Sequence, residues 1–111
     1  MTKREVTDLL ERDPGQEERA GIRLEGLLAV LDETGYGGEP RLEILGEIVS
    51  REGDRFPMNA RIQIVALNEK DQVVGRMEMA ASQGDPGYEA FEESTGLQAL
   101  PARIKVVISS R

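Results

Sequence analysis

Three stretches of the chain alternate apolar and polar residues with a period of two. RLEILGEIVS (residues 41–50) sets Leu42, Ile44 and Ile48 on one side and Glu43 and Glu47 on the other. NARIQIVALN (59–68) does the same with Ala60, Ile62, Ile64 and Ala66 against Arg61 and Gln63, and ARIKVVISS (102–110) with Ile104, Val106 and Ile108 against Arg103 and Lys105. Successive side chains of an extended strand project to opposite faces, so each pattern predicts a strand with one face in an apolar interior. VVGRMEMAA (73–81) reads as a fourth, with Val73, Met77 and Met79 sharing a face and Arg76 and Glu78 pointing away. YEAFEE (88–93) reads as a short fifth.

The segments between them carry turn chemistry. Asn68-Glu69-Lys70-Asp71-Gln72 has the length of a hairpin connection of four or five residues. Slipping that hairpin by one residue would turn the methionines out to water, so the turn also sets register. In SQGDPG (82–87), Pro86 and Gly87 suit the central positions of a reversal. YGGEP (36–40) and REGDRFPM (51–58) are loops, and Pro57 has no N–H to give to a ladder.

The segment GIRLEGLLAVLDETG fits two patterns. Leu24, Leu27, Leu28 and Leu31 have helical spacing, while Ile22, Leu24, Leu28 and Val30 keep strand parity around Gly26. Gly26 weakens a helix interior, and everything after it is β. Context predicts a strand, with a helix capped by Gly35 as the alternative. At the start, Thr2 with Glu5 three residues on, followed by Val6, Leu9 and Leu10, predicts a short helix over 1–13 that Asp13-Pro14-Gly15 ends. Residues 1–20 then form an appendage, packed or mobile, joined through GQEERAG to a domain over 21–111. Six or seven strands with closely spaced turns predict an all-β, antiparallel β-sandwich.

Composition narrows the chemistry. A chain of 111 residues holds one domain with one core. Aromatic residues are only 4% of it, so the core is aliphatic, with Tyr36, Phe56, Tyr88 and Phe91 as its rings. Neither Cys nor His is present. Disulfides, thiolate nucleophiles, the usual zinc and haem ligands and the commonest proton carrier near neutral pH are thereby excluded. No cofactor is called for.

The net charge of −7 disfavours nucleic acid as a partner. From Ser94 onward the trend reverses, with Arg103, Lys105 and Arg111 and no acid. Glu89, Glu92 and Glu93 just upstream are the expected cross-strand partners of those cations. The charged N-terminus is no signal peptide and no run is long enough to span a bilayer, so the expectation is a cytoplasmic protein with no membrane partner. A domain of an exported protein would read the same way.

From about Leu42 to the C-terminus, the order of features resembles the FxLYD family of small immunoglobulin-like β-sandwich domains of bacteria and archaea. GEIVS (46–50) is similar to that family's strand with a small polar residue after it. IVALNEKDQVVG (64–75) is similar to its signature strand, polar turn and return. DPGYEAF (85–91) resembles its Pro-Gly turn leading to a buried Phe. At the name-giving positions stand Ile64, Ala66, Leu67 and Asn68, so apolar character is kept without the named letters. The resemblance implies an immunoglobulin-like sandwich and an accessory or interaction role, with no catalytic residues to carry over.

Candidate chemistry is sparse. The adjacent pairs Glu17-Glu18, Asp32-Glu33 and Glu92-Glu93 read as solvated surface charge, since general acid–base work needs a raised pKa in a cleft. The serines have no histidine to activate them and no G-x-S-x-G elbow. NEKDQ and GDPGYE offer oxygen ligands for calcium without the spacing of an EF-hand loop. Mixed charge meets large apolar side chains at Arg51–Met58, which makes Arg51, Arg55 and Phe56 the candidate binding residues. Phe56 and Met58 closing the end of the sandwich is the plainer alternative. The functional expectation is a non-enzymatic interaction module, acting on a protein partner or self-associating through an edge strand. A calcium-binding structural or adhesion domain is the alternative.

Overall fold

The computed structural model describes residues 3–110, apart from the side chain of Tyr36. The strands are β1 (Lys3–Glu5), β2 (Leu10–Glu11), β3 (Ile22–Asp32), β4 (Arg41–Ser50), β5 (Ala60–Leu67), β6 (Val73–Ala81), β7 (Tyr88–Gly96) and β8 (Arg103–Ser110). A 3-10 turn at Thr7–Leu9 separates β1 from β2, and one helix, α1 (Pro14–Arg19), precedes β3. The fold is mostly β, in two four-stranded sheets of order β1-β3-β4-β7 and β2-β8-β5-β6. One buried cluster takes side chains from both, including Ile22, Leu31, Leu42 and Ile44 from the first and Ile62, Ile64, Ile104 and Val106 from the second.

The alternating stretches behave as their patterns predict. In β4, β5 and β8 the aliphatic set is buried, and Arg61 and Lys105 stand in water. The hairpin between β5 and β6 is built by its own polar residues. The Asn68 side-chain oxygen accepts from the N–H groups of Lys70 and Gln72, and Asp71 takes a left-handed conformation at φ 60. Its ladder shifts register next to Leu67, so Val73 is left 44% exposed and Val74 is buried instead. The shared face of Val73 with the methionines is therefore corrected by a bulge, which gives one strand an extra residue.

The ambiguity of 22–31 has the same cause. β3 is a strand, but from Glu25 to Leu28 it advances three residues while β4 advances two, from Glu47 to Leu45. Gly26 sits in this bulge with φ +61, where an L side chain would be strained. Parity flips there. Ile22 and Leu24 point into the core before the bulge, Ala29 and Leu31 after it, and Leu28 is turned outward at 36% exposure. A bulged strand thus imitates helical spacing.

The first twenty residues depart most from expectation. Residues 3–13 are not a helix, and the Thr2 cap lies outside the described residues. β1 pairs antiparallel with β3, Val6 is buried, and after the 3-10 turn β2 pairs parallel with β8. Among the described residues that gives eight strands, where six or seven were expected, and one pair that is not antiparallel. Asp13-Pro14-Gly15 starts a helix here instead of ending one. The Asp13 side chain caps the N–H groups of Gly15 and Gln16, and Pro14 occupies the first turn, where its missing N–H costs nothing.

α1 docks on both sheets, with the Gln16 side-chain oxygen accepting from the Ile108 N–H and the Glu17 carboxylate from the Leu24 N–H. Glu17 is 2% exposed and paired with Arg12 at 3.0 Å, so its reading as solvated surface charge is also corrected. A short polar helix is held in place by tertiary bonds that its own length would not supply. Among the described residues no helix is long and apolar enough to cross a membrane.

Candidate interaction face

The loop between β4 and β5 closes one end of the molecule. Phe56 is 2% exposed and belongs to the core, its N–H bonded to Asp85 O and its carbonyl accepting from Gly84 N–H. It presents no surface, and the expectation of a contact aromatic there is corrected in favour of end closure. Arg51 Nε donates to Ile22 O at 2.7 Å, and one terminal nitrogen of Arg55 to Gly84 O at 2.7 Å. Both guanidiniums are exposed but anchored on main-chain carbonyls. Each of the three residues is thus tied to the main chain of another segment.

In the first of the two loops considered for calcium, the polar side chains are engaged in a similar way. Asn68 serves its own turn, and Asp71 pairs with Arg103 at 2.7 Å. Among the described residues, no group of three or more Asp or Glu side chains converges as metal ligands would. A depression at the end of β5 and β6 is lined by Asn59, Arg61, Ala80 and Ser82, but Asn59 already accepts from Gln83 N–H and Arg61 pairs with Glu78.

A different surface stands out, the outer side of the β1-β3-β4-β7 sheet. Directly opposed residues in an antiparallel ladder share a face, so the pairings define outward rows: Arg23–Val49–Tyr88, Glu25–Glu47–Ala90, Leu28–Leu45–Glu92, Val30–Glu43–Ser94 and Asp32–Arg41–Gly96. Apolar residues stand in two groups on this face, Val30, Leu28 and Leu45 on one side of the Glu25–Glu47–Ala90 row and Val49 with Tyr88 on the other. Tyr88 is 57% exposed. At the Gly26 bulge the sheet has a shallow open dent, rimmed by Glu47 and Glu92. The three long strands carry Glu25, Asp32, Glu43, Glu47 and Glu92 outward against Arg23 and Arg41. The face is therefore acidic.

Glu25 and Glu47 are directly opposed, an arrangement that like charge disfavours. Two neighbours offset it: Arg23 pairs with Glu25 at 3.2 Å, and the Tyr88 hydroxyl donates a hydrogen bond to Glu47. That bond, some desolvation, and the negative charges of Glu47 and Glu25 hold the Tyr88 hydroxyl above its ordinary pKa.

Among the described residues, the C-terminal cations do not neutralise Glu89, Glu92 and Glu93. β7 and β8 lie in different sheets. Arg103 is taken by Glu11, at 2.8 and 2.9 Å, and by Asp71, which lowers the Glu11 pKa; Arg111 lies outside the described residues. Among the described residues no ion pair reaches Glu89, Glu92 or Glu93.

Sequence reasoning missed Leu28 and Tyr88 as surface residues. The signal was present in YEAFEE: neither parity set of that strand is apolar, as happens when a strand lies at a sheet edge with both faces in reach of water. No family model matches this chain, and no curated protein or solved structure matches it.

Proposed function

We propose that this chain is a non-enzymatic interaction module of immunoglobulin-like sandwich architecture, which binds a protein partner through the outer face of its β1-β3-β4-β7 sheet. The observation that carries the reading is the pair of exposed apolar side chains Leu28 and Tyr88 on this face, set in an excess of carboxylates. Exposed aromatic and aliphatic groups ringed by polar ones are the composition of recognition surfaces. The sheet gives them a rigid frame, because the reverse side of β3 and β4 is core.

The topology supports the architectural part. The chain passes from the first sheet to the second between β4 and β5, returns between β6 and β7, and crosses again before β8, which suits Greek-key sandwiches. The FxLYD likeness stays with this proposal, supported by the β5–β6 hairpin and the turn at Pro86-Gly87.

Site-specific photo-crosslinking in cells tests it. A crosslinker at Leu28 or Tyr88 is expected to give a discrete protein adduct, and one at Arg61, on the other sheet, none. Adducts confined to Arg51, Arg55 or the Arg61 face would overturn the reading.

A further inference from the structure

The β7 strand leaves a row of backbone groups without partners, and the phase of its ladder says which. Just beyond its ends, Ser50 N–H bonds to Gly87 O, and Leu97 N–H to Pro40 O. Hydrogen-bonded and non-bonded pairs alternate in an antiparallel ladder. In the register of β4 with β7, the bonded pairs are therefore Ile48–Glu89, Gly46–Phe91, Ile44–Glu93 and Leu42–Thr95. The N–H and C=O groups of Ala90, Glu92 and Ser94 point the other way, toward the free edge of the sheet. The ends of β7 are closed off, by the 82–87 loop at one and by Gln98 N–H bonding to Val74 O at the other. Between them lies an open window of five residues, 90–94.

The side chains along this window agree on the character of what fits. Glu89, Phe91 and Glu93 point to the inner side of the sheet, yet both glutamates are exposed and Phe91 is only half-buried, so the second sheet does not cover this stretch of β7. Glu92 points outward. Among the described residues none of the three carboxylates has an ion-pair partner, and β7 itself carries no Lys or Arg. The nearest cation on the outer face is Arg41, whose guanidinium donates to the Ser94 hydroxyl at the far end of the window. Inward-pointing charge on an edge strand guards against pairing with a like strand. A second copy of β7 laid across this one would set glutamates against glutamates.

We propose that the β7 edge accepts an extended basic segment of a partner protein as an added antiparallel strand, bonded through Ala90, Glu92 and Ser94. This rests on the interaction-module reading above and gives the partner's chemistry. Main-chain bonds supply the pairing and side chains the selectivity, as in other strand additions. The geometry also sets a pattern. Read from its N-terminus, the guest meets Glu93, Glu92, Phe91, Ala90 and Glu89 in turn. A complementary core is basic, basic, apolar, small, basic.

The probe is a blocked peptide with Lys-Lys-Ile-Thr-Lys at its centre, titrated into the full chain while backbone amide exchange is followed by NMR. The expected result is new protection at Ala90, Glu92 and Ser94, with little change at Phe91 and Glu93, and binding that weakens with added salt. N-methylating the guest amides that face β7, exchanging its lysines for glutamates, or making the Glu89→Lys/Glu92→Lys/Glu93→Lys protein should each weaken binding by about tenfold or more. All three glutamates are exposed, so that variant is expected to fold, which its unchanged spectrum would verify. No binding, or binding without protection at those three amides, would overturn the edge proposal. Crosslinks from Leu28 that persist in that event would leave the face reading standing.

Discussion

Replacing Glu17 with alanine removes an acceptor that three donors share: Leu24 N–H at 3.0 Å and two nitrogens of Arg12 at 3.0 and 3.2 Å. Leu24 is 3% exposed, so its amide is left without water or partner, which costs about 1–3 kcal/mol. The Arg12 side chain is 38% exposed and can rehydrate, so the ion pair is discounted for screening and adds only about 1 kcal/mol. The total, about 2–4 kcal/mol, is a large part of the roughly 5–15 kcal/mol that holds a domain together. Urea unfolding followed by circular dichroism should show a lower midpoint with an unchanged slope. Glu17→Gln, which keeps an acceptor for Leu24, should lose less. A loss below about 0.5 kcal/mol for Glu17→Ala, the range of ordinary surface changes, would refute the reasoning and detach residues 12–19 from the domain.

Three further outcomes are expected. Phe56→Ala should cost about 3–5 kcal/mol by emptying a core position, while Arg55→Ala stays within about 1 kcal/mol; equal small effects in thermal melts would return Phe56 to the surface. Gly26→Val should cost about 1–2 kcal/mol through the left-handed bulge, with Gly26→Asn milder; a neutral valine would mean that the bulge is absent. The third outcome concerns pH. The raised Tyr88 pKa means that the protonated phenol is favoured in the folded state. Its contribution to stability is thus present below the ordinary value of 10.0 and lost as pH rises through the folded value. In a Tyr36→Phe background, which leaves Tyr88 as the sole tyrosine, absorbance titration should place its ionisation above 10.0, and Glu47→Gln should bring it down. No change with Glu47→Gln would remove the hydrogen bond from the account.

Much of the sheet structure was legible because β4, β5 and β8 have one buried and one wet face, which period two reports directly. The errors have physical causes. Bulges at Gly26 and beside Val74 reverse parity in mid-strand, so Leu28 and Val73 were assigned inward when Ala29 and Val74 are. β1 and β2 are three and two residues long, too short to carry a period, and the neighbouring Val6, Leu9 and Leu10 have spacing that fits a helix. Asp-Pro can start a helix as readily as follow one, and only the docking of Gln16 and Glu17 decides between them. The interaction face was illegible for another reason. Its rows join residues 23, 49 and 88, which only the strand pairing brings together.

Backbone amide exchange of the free protein tests the central claim, a two-sheet fold that takes its N-terminus into both sheets and leaves β7 as a free edge. The account predicts slow exchange at Val6, Leu24 and Ala29, and an alternation along β7, with Phe91 and Glu93 slow and Ala90, Glu92 and Ser94 fast. Fast exchange at Val6 and Leu24, or uniform protection from Ala90 to Ser94, would contradict it.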